Sequence, residues 1–214
     1  MPNVSDKQET ITELYNGEIK VKFTPSNHGY YVNGKRKTGV TTFLGIINKP
    51  FLIPWAVRET VKFVKLRITD LQNGTEFEID EILYGAGREA DRQKEHAANI
   101  GKAIHDWIEM FAKGEQPEMP EDPQVLTGVN SFLDWVEGHK VKFVFSERLI
   151  YSKDYDYVGT LDLGFTMGNS EDLYLGDNKT GNQLYPEVKA QTAAYLKADQ
   201  EESDRKYKGR WAIR

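Results

Sequence analysis

The period of the apolar positions changes three times along the chain. Residues 18–23 and 29–33 carry short β-type runs, and Asn33-Gly34 is a turn signal. Thr41 or Thr42 can cap a short helix through Phe43, Leu44, Ile46 and Ile47, with Pro50 and Pro54 as breakers. A helix is predicted from about Trp55 to Ile68, a loop over 69–78, and a longer helical region over about 79–113 with Gly85 and Gly87 as candidate kink points. Gly114 ends that region, and the stretch from Pro117 to Pro123 is a connector. Residues 124–138 set Val125, Val129, Phe132, Leu133 and Val136 at helical spacing.

From residue 141 the pattern turns β-like. Residues 141–151 alternate, 157–166 and 172–178 are further short apolar runs, and the links between them are hairpin-like. Helix is predicted again over 185–200, and a last strand over 206–213. Helices, an antiparallel meander, then a helix and a strand predict an α+β or mixed α/β core.

Composition sharpens this picture. The chain has 214 residues, a length that suits one domain or one domain with a small appendage. It has no cysteine, which excludes disulfides, a thiolate nucleophile, zinc–thiolate sites and cysteine-held iron–sulfur clusters. No apolar run approaches the ~20 residues of a membrane span. The N-terminal segment is polar and carries Asp6 and Glu9, unlike a secretory signal. The net charge of −5 is uneven. Stretches 69–91 and 115–137 are acidic, whereas Lys20, Lys22, Lys35, Arg36 and Lys37 near the start, and Arg205, Lys206, Lys208, Arg210 and Arg214 at the end, are basic.

Four places carry candidate chemistry. Gly101, His105 and Glu109 share a helix face at i, i+4 and i+8. Glu147 falls on a strand face with Phe143, Phe145, Leu149 and Tyr151, where a carboxylate is odd unless strand twist exposes it or Arg148 or a lysine pairs with it. Asp162 shares a face with Thr160 and Gly164, which invites close approach; the alternative is a charge that protects an edge strand. Asp177 and Lys179 share a face at a strand end before Gly181. A carboxylate there can hold a divalent metal, and the amine can orient or deprotonate a water or steady a phosphate. Two strand-borne aspartates joined by one hairpin can converge on one ion, and oxygen ligands with one imidazole suit Mg²⁺ or Mn²⁺.

The ordered set Gly101-x-x-x-His105-x-x-x-Glu109, Glu147, Gly159-x-x-Asp162, Asp177-x-Lys179 and Gln191-x-x-x-Tyr195 resembles the PD-(D/E)XK nuclease superfamily, and within it the RecB-like exonuclease branch, including stand-alone bacteriophage versions. Tyr31 to Gly34, Gly39 to Leu44 and Pro54 to Ala56 also look like the N-terminal part of those phage proteins. The resemblance implies a restriction-endonuclease-like core, with a central mixed sheet flanked by helices. It also implies one nuclease domain over 1–214, an N-terminal hairpin and helical elaboration over 18–100 and a catalytic core over 101–214. It implies His105, Asp162 and Asp177 as metal ligands with the Asn178 backbone carbonyl, and Lys179 as the catalytic lysine. Gln191 and Tyr195 would contact a DNA end or support the site, with Gly101 and Glu109 beside it and Glu147 as a further catalytic acid.

One or two Mg²⁺ or Mn²⁺ ions are the implied cofactor, with neither an iron–sulfur cluster nor a nucleotide. No Gly-x-x-x-x-Gly-Lys-Ser/Thr phosphate loop is present. The implied partner is DNA with linear ends, double- or single-stranded, with a recombination or single-strand-binding protein as a further candidate and no membrane. The implied place is the cytoplasm of a bacterium or phage-infected host, in recombination, repair or replication. Lys35, Arg36, Lys37 and the tail Arg205–Arg214 are candidates for backbone phosphates, and Tyr30, Tyr31 or Trp55 for stacking on frayed bases. The rival readings are an inactive, DNA-binding accessory protein on the same fold and a structure-selective endonuclease.

Overall fold

A computed structural model describes residues 9–47, 49–181 and 183–214. The chain divides into two compact units, Met1–Ile47 with Ile104–Arg214, and Asn48–Ala103. It is a mixed α/β protein.

The first unit holds the sheet. Its strands are β1 (Thr10–Leu14), β2 (Ile19–Thr24), β3 (Gly29–Val32), β4 (Lys35–Gly39), β5 (Val141–Ser152), β6 (Tyr157–Met167), β7 (Leu173–Asn178) and β8 (Tyr207–Ile213). The helices in chain order are α1 (Val40–Leu44), α2 (Leu52–Leu66), α3 (Ile68–Asn73), α4 (Glu76–Ala112), α5 (Pro123–His139) and α6 (Glu187–Glu202). The boundary between the units falls within α4.

β1 to β4 are antiparallel hairpins, and Asn33-Gly34 makes the β3–β4 turn with both residues at positive φ. β4 then runs parallel to β6, through Thr38 opposite Tyr157 and Gly39 opposite Val158. β5, β6 and β7 form the expected antiparallel meander, and β8 joins parallel to β7. The sheet is therefore mixed.

One consequence of this register positions the site. On one edge β6 is covered by β5 along most of its length. On the other, β4 pairs only with Tyr157 and Val158, and β7 only with Leu163 to Phe165. Residues 159–162 lie in the fork between them. β6 is thus an interior strand, and an edge-protecting role for Asp162 does not hold.

Two apolar clusters hold the sheet. Leu14, Val21, Tyr30, Val32, Leu149, Tyr151 and Val158 bind the N-terminal hairpins to β5 and β6. Val40, Ile150, Leu161, Leu175, Tyr195 and Ala198 bind α1 and α6 to the meander. Aromatic rings seat α5 and the end of α4: Phe132 stacks on Phe143, and Trp135 meets Phe165 edge-on. Asp122 caps α5 by accepting from the backbone of Gln124 and Val125.

The structure corrects four sequence expectations. Residues 69–78 are not a loop, because α3 occupies Ile68–Asn73 and α4 starts at Glu76, where Thr75 and Glu78 bond as a capping box. The helix expected from about Trp55 starts at Leu52 instead, and Pro54 sits in its first turn, where no intrahelical donor is lost. Thr41 and Thr42 lie inside α1, which follows Gly39 without a side-chain cap, and Ile46 and Ile47 fall beyond its end. The short β1 was not expected at all.

Candidate active site

The predicted residues reach one place by different routes. Asp162 stands in the fork of β6, Asp177 is the next-to-last residue of β7, and Lys179 directly follows β7. The β6–β7 register, with Leu163 opposite Gly176, puts Asp162 across from Asp177. The Asn178 backbone N–H donates to Asp162 Oδ2 at 2.8 Å. His105, on α4, brings Nδ1 to 3.9 Å from the same oxygen. Lys179 Nζ lies 2.5 Å from Asp177 Oδ2, anchored by a bond from its own N–H to the Ile213 carbonyl on β8.

Burial governs the electrostatics. Asp177 is fully buried, whereas the Asp162 side chain keeps 15% of its surface open. Burial pushes both carboxyls above the ordinary aspartate range, and the negative charge of Asp162 pushes Asp177 further. Lys179 pulls both back. Burial, and then the charge of Lys179, lowers the His105 imidazole, against Asp177 and the Asn178 carbonyl beside it. The balance favours the neutral imidazole, which has a lone pair to give.

The donor set fits a hard divalent cation in kind: two carboxylates, a carbonyl and a neutral imidazole, with no thiolate. The structure adds an observation of its own. Among the described residues, both Asp177 oxygens and Asn178 Oδ1 are buried without a hydrogen bond of good geometry, and Asp177 makes an ion pair with Lys179. Among the described residues, no three or more His, Asp or Glu side chains are already closed into a ligating group.

Glu147 lies across β5 from Asp162, since Ser146 faces Leu163 and Arg148 faces Leu161. It has φ of 50°, the left-handed region that a non-glycine rarely adopts in a strand. The alternation expected through it does not hold. Phe145 packs with the Ile150 cluster, whereas Leu149 and Tyr151 pack with the other; the register is unbroken between them, and the positive φ of Glu147 is the irregularity that falls there. Arg148 is engaged elsewhere, with Asp199 and Glu202. The charges of Glu147 and Asp162 both act on Tyr30, whose hydroxyl is raised chiefly by burial and which bonds Thr160 Oγ1 at 3.0 Å.

On α6, Gln191 Nε2 donates to the Tyr195 hydroxyl at 3.0 Å. Burial raises that hydroxyl most, and Asp162 and Asp177 add to it. The ring lies against Gly159, where a Cβ would stand 2.8 Å from Tyr195 Cε1. Gly159 is thus the gap in β6 that lets Tyr195 reach the fork.

Other expected residues are placed differently. Glu109 pairs with Lys113 at 2.5 Å, and Gly101 belongs to the second unit. Lys37 bonds Asp156 at 2.7 Å, while Lys35 and Arg36 are exposed on β4. Tyr30 is buried and offers no face for stacking, while the Tyr31 ring is covered by Lys22. In the tail, Arg205 bonds Asp199, Lys208 pairs with Asp172, and Arg210 donates to the Lys189 carbonyl.

The Asp199 network was not foreseen. This buried carboxylate accepts from Arg148 Nε at 2.7 Å, Arg205 Nη1 at 3.2 Å and the Tyr207 hydroxyl at 2.7 Å, tying α6 to β5 and β8. Its partners are 51, 6 and 8 positions away, a spread that no local motif marks. No protein-family model matches the chain, and no curated protein does.

Proposed function

We propose that the protein is a metal-dependent deoxyribonuclease of the PD-(D/E)XK type, an exonuclease acting on linear DNA ends, with a restriction-endonuclease-like core. What carries the reading is the meeting of His105, Asp162, Asp177 and Lys179 at one fork of the sheet, from positions up to 74 residues apart in the chain.

Asp162, Asp177, His105 and the Asn178 carbonyl would hold Mg²⁺ or Mn²⁺. A divalent cation there supplies a more acidic bound water and offsets charge on the scissile phosphate. Lys179 Nζ, beside Asp177, would orient the attacking water by donating to it and steady the negative charge that develops. Asp162, fixed by the Asn178 N–H, presents its open side to the phosphodiester. Tyr195, braced by Gln191, fills the fork from the α6 side and limits the water that reaches the carboxylates.

The test uses end-labelled linear DNA and a closed circle, each with and without Mg²⁺ or Mn²⁺. Wild type is expected to degrade only the linear form and only with metal. Lys179→Ala and Asp162→Ala should lower the rate by about 10²–10⁴-fold. Equal rates for wild type and both variants would refute the enzyme reading. Cutting of the circle would point instead to an endonuclease.

A further inference from the structure

The helical unit carries an apolar face that its own helices leave open. No residue of α2 or α3 is buried. Phe63 marks the side of α2 turned to α4, since a Cβ at Gly85 would stand 3.0 Å from its ring. At about 100° per residue, Ala56 and Thr60 share that side, Ile53, Val57 and Val61 follow about 80–160° around, and Arg58, Lys62 and Lys65 about 200–260° around. Ile53, Val57 and Val61 are all exposed, Ile53 to 75%. On α4, Phe77 is 71% exposed and Tyr84 is exposed two turns on, with Asp80 and Glu81 between them. Contiguous apolar surface rimmed by charge marks an interaction site rather than scattered exposure.

The charges say what fits there. The outer side of α2 is basic, through Arg58, Lys62 and Lys65. The first turns of α4 are acidic, through Glu76, Asp80 and Glu81. Among the described residues none of these six makes a hydrogen bond or ion pair through its side chain. A nucleic acid would meet the basic helix and be repelled by the acidic one. A second copy of the chain offers both complements. In a two-fold pair, α2 of one copy lies on α4 of the other, and each contact is made twice.

We propose that this helical unit is the interface of a homodimer, with α2 of each copy seated on the start of α4 of its partner. The inference does not depend on the nuclease reading.

Light scattering and sedimentation of the full chain across the micromolar range test it, with circular dichroism to confirm folding. Wild type should run as a dimer. Lys62→Glu with Lys65→Glu, and separately Asp80→Lys with Glu81→Lys, should each be monomeric. Mixing these two variants should restore a dimer, because both α2–α4 contacts are again complementary. Val57→Glu should be monomeric and not rescued by either. A monomeric wild type, charge-reversed variants that still dimerise, or failure of the mixture to pair would each overturn the proposal.

Discussion

Replacing Gly159 by alanine tests the packing that brings Tyr195 to the fork. The new methyl would lie 2.8 Å from Tyr195 Cε1, 3.4 Å from Cδ1 and 3.5 Å from Val40 Cγ2. Carbon atoms prefer about 3.5–4.0 Å, so the ring must retreat by about 0.7–1.2 Å. Little can yield. Tyr195 is buried, α6 is held by the Arg148–Asp199 pair, and Gly159 of β6 is paired with Ile150 of β5. Overpacking of this kind costs about 1–3 kcal/mol, and the gain from restricting the unfolded chain returns about 0.4–1. A net loss of about 1–2 kcal/mol is expected, read as a lower urea midpoint at unchanged slope. Tyr195→Ala should itself cost about 3–5 kcal/mol. In the double variant the methyl has room, so the combined loss should fall short of the sum by about 1–2 kcal/mol. Losses that add to within about 0.5 kcal/mol would show that the two residues do not press on each other, and would refute the role given to Gly159.

Asp199→Ala strips a buried acceptor from Arg148, Arg205 and Tyr207 and should destabilise the fold by about 3–5 kcal/mol, measured by chemical denaturation. A loss under about 1 kcal/mol would mean the network is replaceable by water. Asp162 and Asp177 keep their protons to higher pH in the fold than in the unfolded chain, so metal-free stability should fall as pH rises above about 4 and level off once both are ionised. Asp177→Asn should flatten that fall, melt higher than wild type at pH near 7, and lose any rise on adding Mg²⁺; parallel curves for the two proteins in thermal melts would contradict this. DNA binding should strengthen with Ca²⁺ and be weak without divalent metal, and Arg36→Glu should weaken it further; a gel shift that ignores both would speak against a cation-assisted site.

Much of the fold was legible because the period of the apolar residues is a local signal. The meander at 141–178, α5 and α6 follow it to within a few residues. Where it failed, another force decided. Residues 69–78 look polar enough for a loop, yet a capping box from Thr75 starts α4 among them. The alternation through Glu147 ran on the assumption of unbroken strand, and positive φ cannot be read from the letter Glu. That Asp162 and Asp177 stand on strands was legible, but the fork that gathers them with His105 was not. It arises because β4 leaves β6 after Gly39, before β7 arrives at Leu163; the β6–β7 hairpin is local, but the β4–β6 pairing joins Thr38 to Tyr157, 119 residues on.

Charge shows the same limit from another side. A net −5 with two basic ends suggested cations held ready for phosphate. In the folded chain the C-terminal end is largely spent on internal partners, since Arg205 goes to Asp199, Lys208 to Asp172 and Arg210 to α6. Lys22 and Lys37 likewise serve Glu9 and Asp156. The fork itself concentrates negative charge, with Asp162 facing Asp177 and Glu147 across β5. A polyanion brought to such a place would meet repulsion from Asp162 and Asp177, offset in part by Lys179. Under the proposed function, a divalent cation would reverse that balance beside the phosphate. Loading of the site, rather than the overall charge of the chain, would then control whether DNA engages.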